Sequence, residues 1–351
     1  MSSEAMIENP LTKSLADILR EKLILGATGS LPPISQEVAI HAGKRHRIAP
    51  ILYSLLKSGQ IEATSASEKF LHDSYRHAGL QAAQQQRVRS RIHNILINAQ
   101  LHYVELKGRG LAEQLYANPV ARFSKDIDIL IRKKDSTSAL QALSDAGFIA
   151  KAKRSRKTNK LARYEMWAAK DTSLYDPDFD QQIELHSRLL QSEPANFSTV
   201  FMDSVLDSGT PQTTNPFYVF YLIMHGAHCH WASLKWILDL VLIARTSGVS
   251  ANDMADLART YHSLSAVSAS VEFIDAVFPN SLPQDWITLA RQIETSKSQE
   301  LLAAFSEMLS GSPREVKQAG YPFADWYMYD GGINYWQAGP RRLIKPFFRF
   351  L

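Results

Sequence analysis

One cysteine in 351 residues, Cys229, excludes an intramolecular disulfide framework. No stretch approaches the roughly 18 consecutive apolar residues that a membrane span needs. The first residues, with Glu4 and Glu8 and no apolar core, do not read as a secretory leader. A cytoplasmic protein without a transmembrane segment is the expectation. Charge of one sign is also scarce: 39 basic against 35 acidic residues leave a net +4. That is too little to argue for nucleic acid from the global field, and no duplex partner is expected. Internal repeats and low-complexity linkers are absent, and the many Ser, His and Asp residues show no nucleophile-elbow pattern, so a hydrolase triad has no support. The apolar fraction of 45% over this length suits two or three ordinary compact units.

Against that background, Asp126 and Asp128 stand out because they interrupt an apolar β-run, Asp126 to Ile131. Side chains two apart in a strand share a face, so the aspartates point one way and Ile127, Ile129 and Ile131 the other, into a core. Adjacent carboxylates repel unless a cation neutralises them, and hard divalent ions with oxygen ligands are the usual answer. A two-metal site calls for a third acid. Ile183-Glu184-Leu185-His186 supplies it, with Ile183 and Leu185 facing the core and Glu184 and His186 sharing the opposite face. If that strand lies beside the first, Glu184 joins the aspartates. Two ions held by three carboxylates can activate an attacking oxygen and stabilise departing pyrophosphate.

Upstream, the short apolar run Leu101 to Leu106 leads through Lys107, Gly108, Arg109 and Gly110 into a helical pattern with Leu111, Leu115 and Tyr116 on one face. Such a strand, glycine turn and helix can cradle phosphate, because glycine lets the backbone approach a ligand and helix-start N–H groups favour an anion. Lys107, Arg109 and Arg122 add positive charge.

The run Leu106-Lys107-Gly108, then Leu111-Ala112 and Leu115-Tyr116, then Pro119, Arg122 and Asp126-Ile127-Asp128, resembles the uncharacterised nucleotidyltransferase family of the DNA polymerase beta-like nucleotidyltransferase superfamily. The resemblance continues at residues 183–186, at His225-Gly226-Ala227-His228, at residues 234–239 and faintly at the basic, aromatic C-terminus, so it covers the chain from about residue 100 onward. One departure bears on the phosphate grip: Arg109 stands where the superfamily has a second glycine or serine, and the gap to Asp126 is longer.

The resemblance implies an α+β fold, a small mixed nucleotidyltransferase sheet flanked by helical N-terminal and C-terminal regions. It also implies transfer of a nucleoside monophosphate from an NTP, ATP included, to a hydroxyl of a peptide, protein or small-molecule acceptor. Asp126, Asp128 and Glu184 would hold Mg²⁺, with Mn²⁺ as the alternative, and catalyse. Lys107, Gly108, Arg109, Arg122, His228 and Lys235 would bind the nucleotide. Two other readings remain open: glycosyl transfer from a nucleotide sugar, since Asp-x-Asp also holds an ion against a diphosphate, and a non-catalytic nucleotide-binding partner protein.

The remaining pattern divides the chain into a helical region over 1–98, a nucleotidyltransferase core over 99–192, a helical domain over 193–319 and an aromatic, basic tail over 320–351. Helical spacing is expected for Leu15 to Leu23, for 66–98 and for 136 onward to a stop at Gly147, and Arg163 to Ala168 is a further strand candidate. The basic run Lys151 to Arg163 reads as a solvated loop or as a holder of triphosphate or acceptor. A single helix over Phe217 to Ala244 places His225, His228, Lys235 and Asp239 within an arc of about 80°, a polar face serving either a nucleotide cleft or a hydrogen-bonded seam. Zinc is disfavoured there, because His225, His228 and even Cys229 leave a structural site without a fourth ligand. Pro340 and Pro346 interrupt the tail, which favours docking on the protein's own surface or a partner over contact with a membrane.

Overall fold

Apolar residues recurring at helical spacing from Leu71 to Ile95 build one 34-residue helix, α4 (Ser65–Asn98). The computed structural model describes residues 6–150, 170–206, 210–293, 295–311 and 328–330. The basic run Lys151 to Arg163, the strand candidate Arg163 to Ala168 and the tail apart from residues 328–330 lie outside the described residues. Among the described residues the chain forms two compact units, one from residues 6–78, 115–123, 213–293, 295–311 and 328–330 and the other from 79–114, 124–150, 170–206 and 210–212.

The second unit holds a five-stranded mixed sheet built from β1 (Tyr103–Glu105), β2 (Asp126–Ile131), β3 (Ile149–Ala150), β4 (Asp171–Asp176) and β5 (Gln181–His186), ordered β1-β2-β5-β4-β3. β2 and β5 run parallel, and the other pairs are antiparallel. Alternation in β2 and β5 puts Ile127, Ile129, Ile131, Ile183 and Leu185 on one face. There they pack with Val88, Ile92 and Leu96 of α4 and with Ala139 and Leu143 of α6 (Ser136–Asp145). Each fully buried Ile or Leu contributes about 1.5–3 kcal/mol relative to exposure. Arg91 ties α4 to the far side of the sheet: its guanidinium meets Asp176 at 3.0 Å and Asp178 at 2.9 Å and lies 4.9 Å from the Phe148 ring centre. Between β1 and β2 lies α5 (Arg109–Leu115), and α7 (Phe197–Val205) follows β5.

The other unit is helical among the described residues: α1 (Pro10–Leu19), α2 (Gln36–His41), α3 (Ala49–Lys57), α8 (Pro216–His228), α9 (Leu234–Thr246), α10 (Ala251–Thr260), α11 (Leu264–Val277), α12 (Gln284–Gln292) and α13 (Ser296–Ser310). The single helix expected over Phe217 to Ala244 is thus two helices, and the 80° polar arc does not exist. His230 and Trp231 adopt left-handed backbone with φ of 52° and 47°. Trp231 turns back on α8, its N–H donating to Gly226 O at 2.8 Å and its indole N–H to Ser270 at 3.0 Å. The indole ring fills the space where a Cβ at Gly226 would project. Gly226→Ala is therefore expected to destabilise the protein by about 1–3 kcal/mol through overpacking. Urea denaturation followed by tryptophan fluorescence measures this, and an unchanged midpoint would refute the packing account.

A buried histidine supplies a second test in this unit. The N–H of Leu234 donates to His46 Nδ1 at 3.3 Å, so the imidazole is neutral with its proton on Nε2, facing Thr12 Oγ1 at 3.1 Å. His41 shares the same hydroxyl at 2.9 Å. Burial, then Arg45 and His41, push the His46 pKa well below its ordinary value. The unfolded chain takes up a proton near pH 6.5 that the folded unit refuses, so stability falls as pH drops below about 6.5, by at most about 1.4 kcal/mol per pH unit for this group. Melting curves from pH 7.5 down to 5 should show that slope, and His46→Gln should flatten it; equal slopes would count against His46.

Candidate metal and nucleotide site

In the parallel ladder of β2 and β5, Asp128 stands directly opposite Glu184, and Leu130 opposite His186. Because partners in register point the same way, the acid from each strand and the following histidine meet on the face away from the isoleucines. Ligand atoms of Asp128, Glu184 and His186 all lie within 4.8 Å of one another, the only such metal-competent group of three among the described residues. Asp128 is 8% exposed and His186 1%, whereas the Glu184 side chain retains 24% and reaches solvent. Asp126 shares the face, two residues earlier and opposite Gln182, but its carboxylate is not part of that tight group.

His186 Nε2 is 3.1 Å from Asp128 Oδ1 and 3.6 Å from Glu184 Oε2. Burial opposes the imidazolium, but the contacts with Asp128 and Glu184 outweigh it and raise the pKa above its ordinary value. On the other side, Lys107 Nζ lies 3.6 Å from Asp128 Oδ2. Each oxygen of this carboxylate therefore faces a different nitrogen. Two carboxylates with an imidazole suit a divalent ion, Mn²⁺ more readily than Mg²⁺ if the nitrogen joins the shell.

The glycine turn follows β1. Gly108 has φ +82°, a backbone conformation that favours glycine, and a Cβ there would also sit tightly against Arg89 Nη2 at 3.0 Å. Arg89, from α4, donates through Nε to Glu105 Oε1 at 2.8 Å, while burial pushes the Glu105 pKa up. Its two terminal nitrogens are buried with no acceptor among the described residues. The peptides before β2 are gripped as well: Gln85 donates to Ser124 O at 3.1 Å, and Gln81 and Gln181 both donate to Lys125 O at 3.0 Å. Gln81, Gln85 and Arg89 recur every four residues, which aligns them on one face of α4. That spacing, and the parity that pairs His186 with Glu184, were the signals from which roles for these residues could have been read.

The other expected nucleotide ligands have partners of their own. Arg109 makes an exposed pair with Glu113 at 2.6 Å. Arg122 belongs to the helical unit, where its guanidinium grips the carboxylate of Asp239 at 2.7–3.0 Å, and Tyr116 donates to the same carboxylate at 2.8 Å. Burial opposes the Arg122 charge, but Asp239 more than compensates and its pKa is raised. Lys235, buried in the same unit, donates to Phe123 O at 2.8 Å. His228 is half-buried in the last turn of α8.

Residues 32–279 match the family described as uncharacterised nucleotidyltransferase, which is well over half of the chain. The chain belongs to this family. It is accordingly a nucleotidyltransferase enzyme, and its α+β sheet carries the group of Asp128, Glu184 and His186. No curated protein and no solved structure matches the chain. Among the described residues no helix is long and apolar enough to cross a membrane.

Proposed function

We propose that the protein is a metal-dependent nucleotidyltransferase that moves an NMP from an NTP to a hydroxyl of a peptide, protein or small-molecule acceptor and releases pyrophosphate. The observation that carries this reading is the register of Asp128 against Glu184 with His186 beside them, in a chain of this family. Asp128 and Glu184, joined by Asp126 from the same face, would hold Mg²⁺ or Mn²⁺. A bound divalent ion would supply charge stabilisation for the transferring phosphoryl group and its leaving pyrophosphate.

The remaining work falls to this chain's own groups. Lys107 neutralises a phosphate oxygen, and the backbone at Gly108 approaches the phosphates without a side chain in the way. Arg109 sits at the rim of that turn. Glu184, the most exposed of the three clustered groups, accepts the proton of the acceptor hydroxyl as its oxygen bonds to the α-phosphorus and the bond to pyrophosphate breaks. Arg122 and Lys235 are assigned a positioning role instead, because their charges meet Asp239 and Phe123 O.

Incubation with each of the four NTPs and Mg²⁺ or Mn²⁺, followed by intact-mass analysis of the protein and of candidate acceptors, tests the proposal. An NMP increment with pyrophosphate release is the expected result. A sugar increment from nucleotide sugars would establish the glycosyl reading, and NTP binding with neither product would point to a non-catalytic partner protein.

A further inference from the structure

The position of Lys107 carries an inference that rests on the proposed metal site and extends it to how that site is loaded. We infer that Lys107 is an internal counter-cation competing with a divalent ion for Asp128, and that its release from Asp128 hands its charge to the nucleotide's phosphates. Two observations lead there. The two oxygens of Asp128 face nitrogens of opposite character: His186, which is 1% exposed on a strand, and Lys107, a long side chain that retains 14% exposure. The separation of 3.6 Å from Lys107 Nζ to Asp128 Oδ2 is a charge contact longer than a normal hydrogen bond, so it resists withdrawal less than the 3.1 Å contact to His186.

A carboxylate flanked by an ammonium attracts a divalent ion less strongly, because the ion must displace or tolerate a like charge a few ångströms away. An NTP offers the displaced ammonium a new partner. Lys107 therefore makes ion and nucleotide binding mutually reinforcing, and by linkage the reinforcement is the same in either direction. Without nucleotide, the lysine suppresses ion binding and holds Asp128 neutralised.

The test uses Mn²⁺ alone and the full-length protein. Free Mn²⁺ is followed by electron paramagnetic resonance during titration of wild type, Lys107→Met, Lys107→Gln and Asp128→Asn, with circular dichroism confirming the fold of each. Both Lys107 variants should bind Mn²⁺ about tenfold more tightly than wild type. In parallel, acetylation of Lys107 by an amine-reactive ester, read by mass spectrometry, should rise several-fold when Mn²⁺ is added to wild type and should already be high in Asp128→Asn. Mn²⁺ binding that depends on Asp128, with unchanged affinity in the Lys107 variants and unchanged labelling, overturns the inference while leaving the metal site intact. Mn²⁺ binding indifferent to Asp128→Asn removes the metal site itself. If one Lys107 variant misfolds, the other and the labelling of wild type decide.

Discussion

Replacing Asp128 by asparagine is expected to lower nucleotidyl transfer roughly a thousandfold or more, since in the proposed site several kcal/mol of transition-state charge stabilisation by the ion would depend on this carboxylate. Steady-state rates of pyrophosphate release at saturating NTP measure the loss. The substitution preserves shape, and the fold should persist, yet the expected stability change is a loss. Carboxylate repulsion alone predicts that neutralising Asp128 stabilises the protein. Lys107 and His186 reverse that sign, because the asparagine removes the negative charge facing the Lys107 ammonium and the carboxylate oxygen that His186 Nε2 meets at 3.1 Å. A cost of about 1–3 kcal/mol follows from these lost contacts. A rate within tenfold of wild type would remove Asp128 from the chemistry, and a higher melting temperature would contradict the counter-charge account.

The largest stability effect is expected at Asp239. Its carboxylate is buried and accepts from Arg122 and Tyr116, so Asp239→Ala takes the counter-charge from a buried guanidinium and this acceptor from a buried phenol. Breaking such a pair from one side costs about 3–5 kcal/mol. Removing both charges as Arg122→Met with Asp239→Leu should recover most of the loss, since no lone charge then remains buried. Denaturant melts of the two single variants and the double variant measure the difference. A single variant within about half a kcal/mol of wild type would mean that the seam contributes nothing.

The sheet and its acids were legible because two periodicities coincided. Ile127, Ile129 and Ile131 alternate with Asp126, Asp128 and Leu130, and Ile183 and Leu185 alternate with Glu184 and His186, so parity alone separates the buried face from the acidic one. The long helix was legible from its spacing and ends at Asn98 as expected. The break between α8 and α9 was not, since no proline marks it and the apolar pattern continues through it. What makes the break is the fold of Trp231 onto Gly226, a packing event whose sequence trace is one glycine inside a helix. Arg122 illustrates the other limit. Its charge suggested phosphate, but its partner lies 117 positions along the chain, and nothing local to either residue announces the pair. Burial decided between ligand and internal counter-ion, and burial of a single arginine is a tertiary property.

The central claim, that Asp128 and Glu184 hold the ion of a nucleotidyl transfer reaction, is tested most directly by an anomalous difference map from crystals grown with Mn²⁺ and a non-hydrolysable NTP analogue. The account predicts a peak at about 2.1 Å from oxygens of Asp128 and Glu184, with the triphosphate against Lys107 and the turn at Gly108. A fully bound analogue with no peak at these carboxylates, or with its ion held elsewhere, would contradict it.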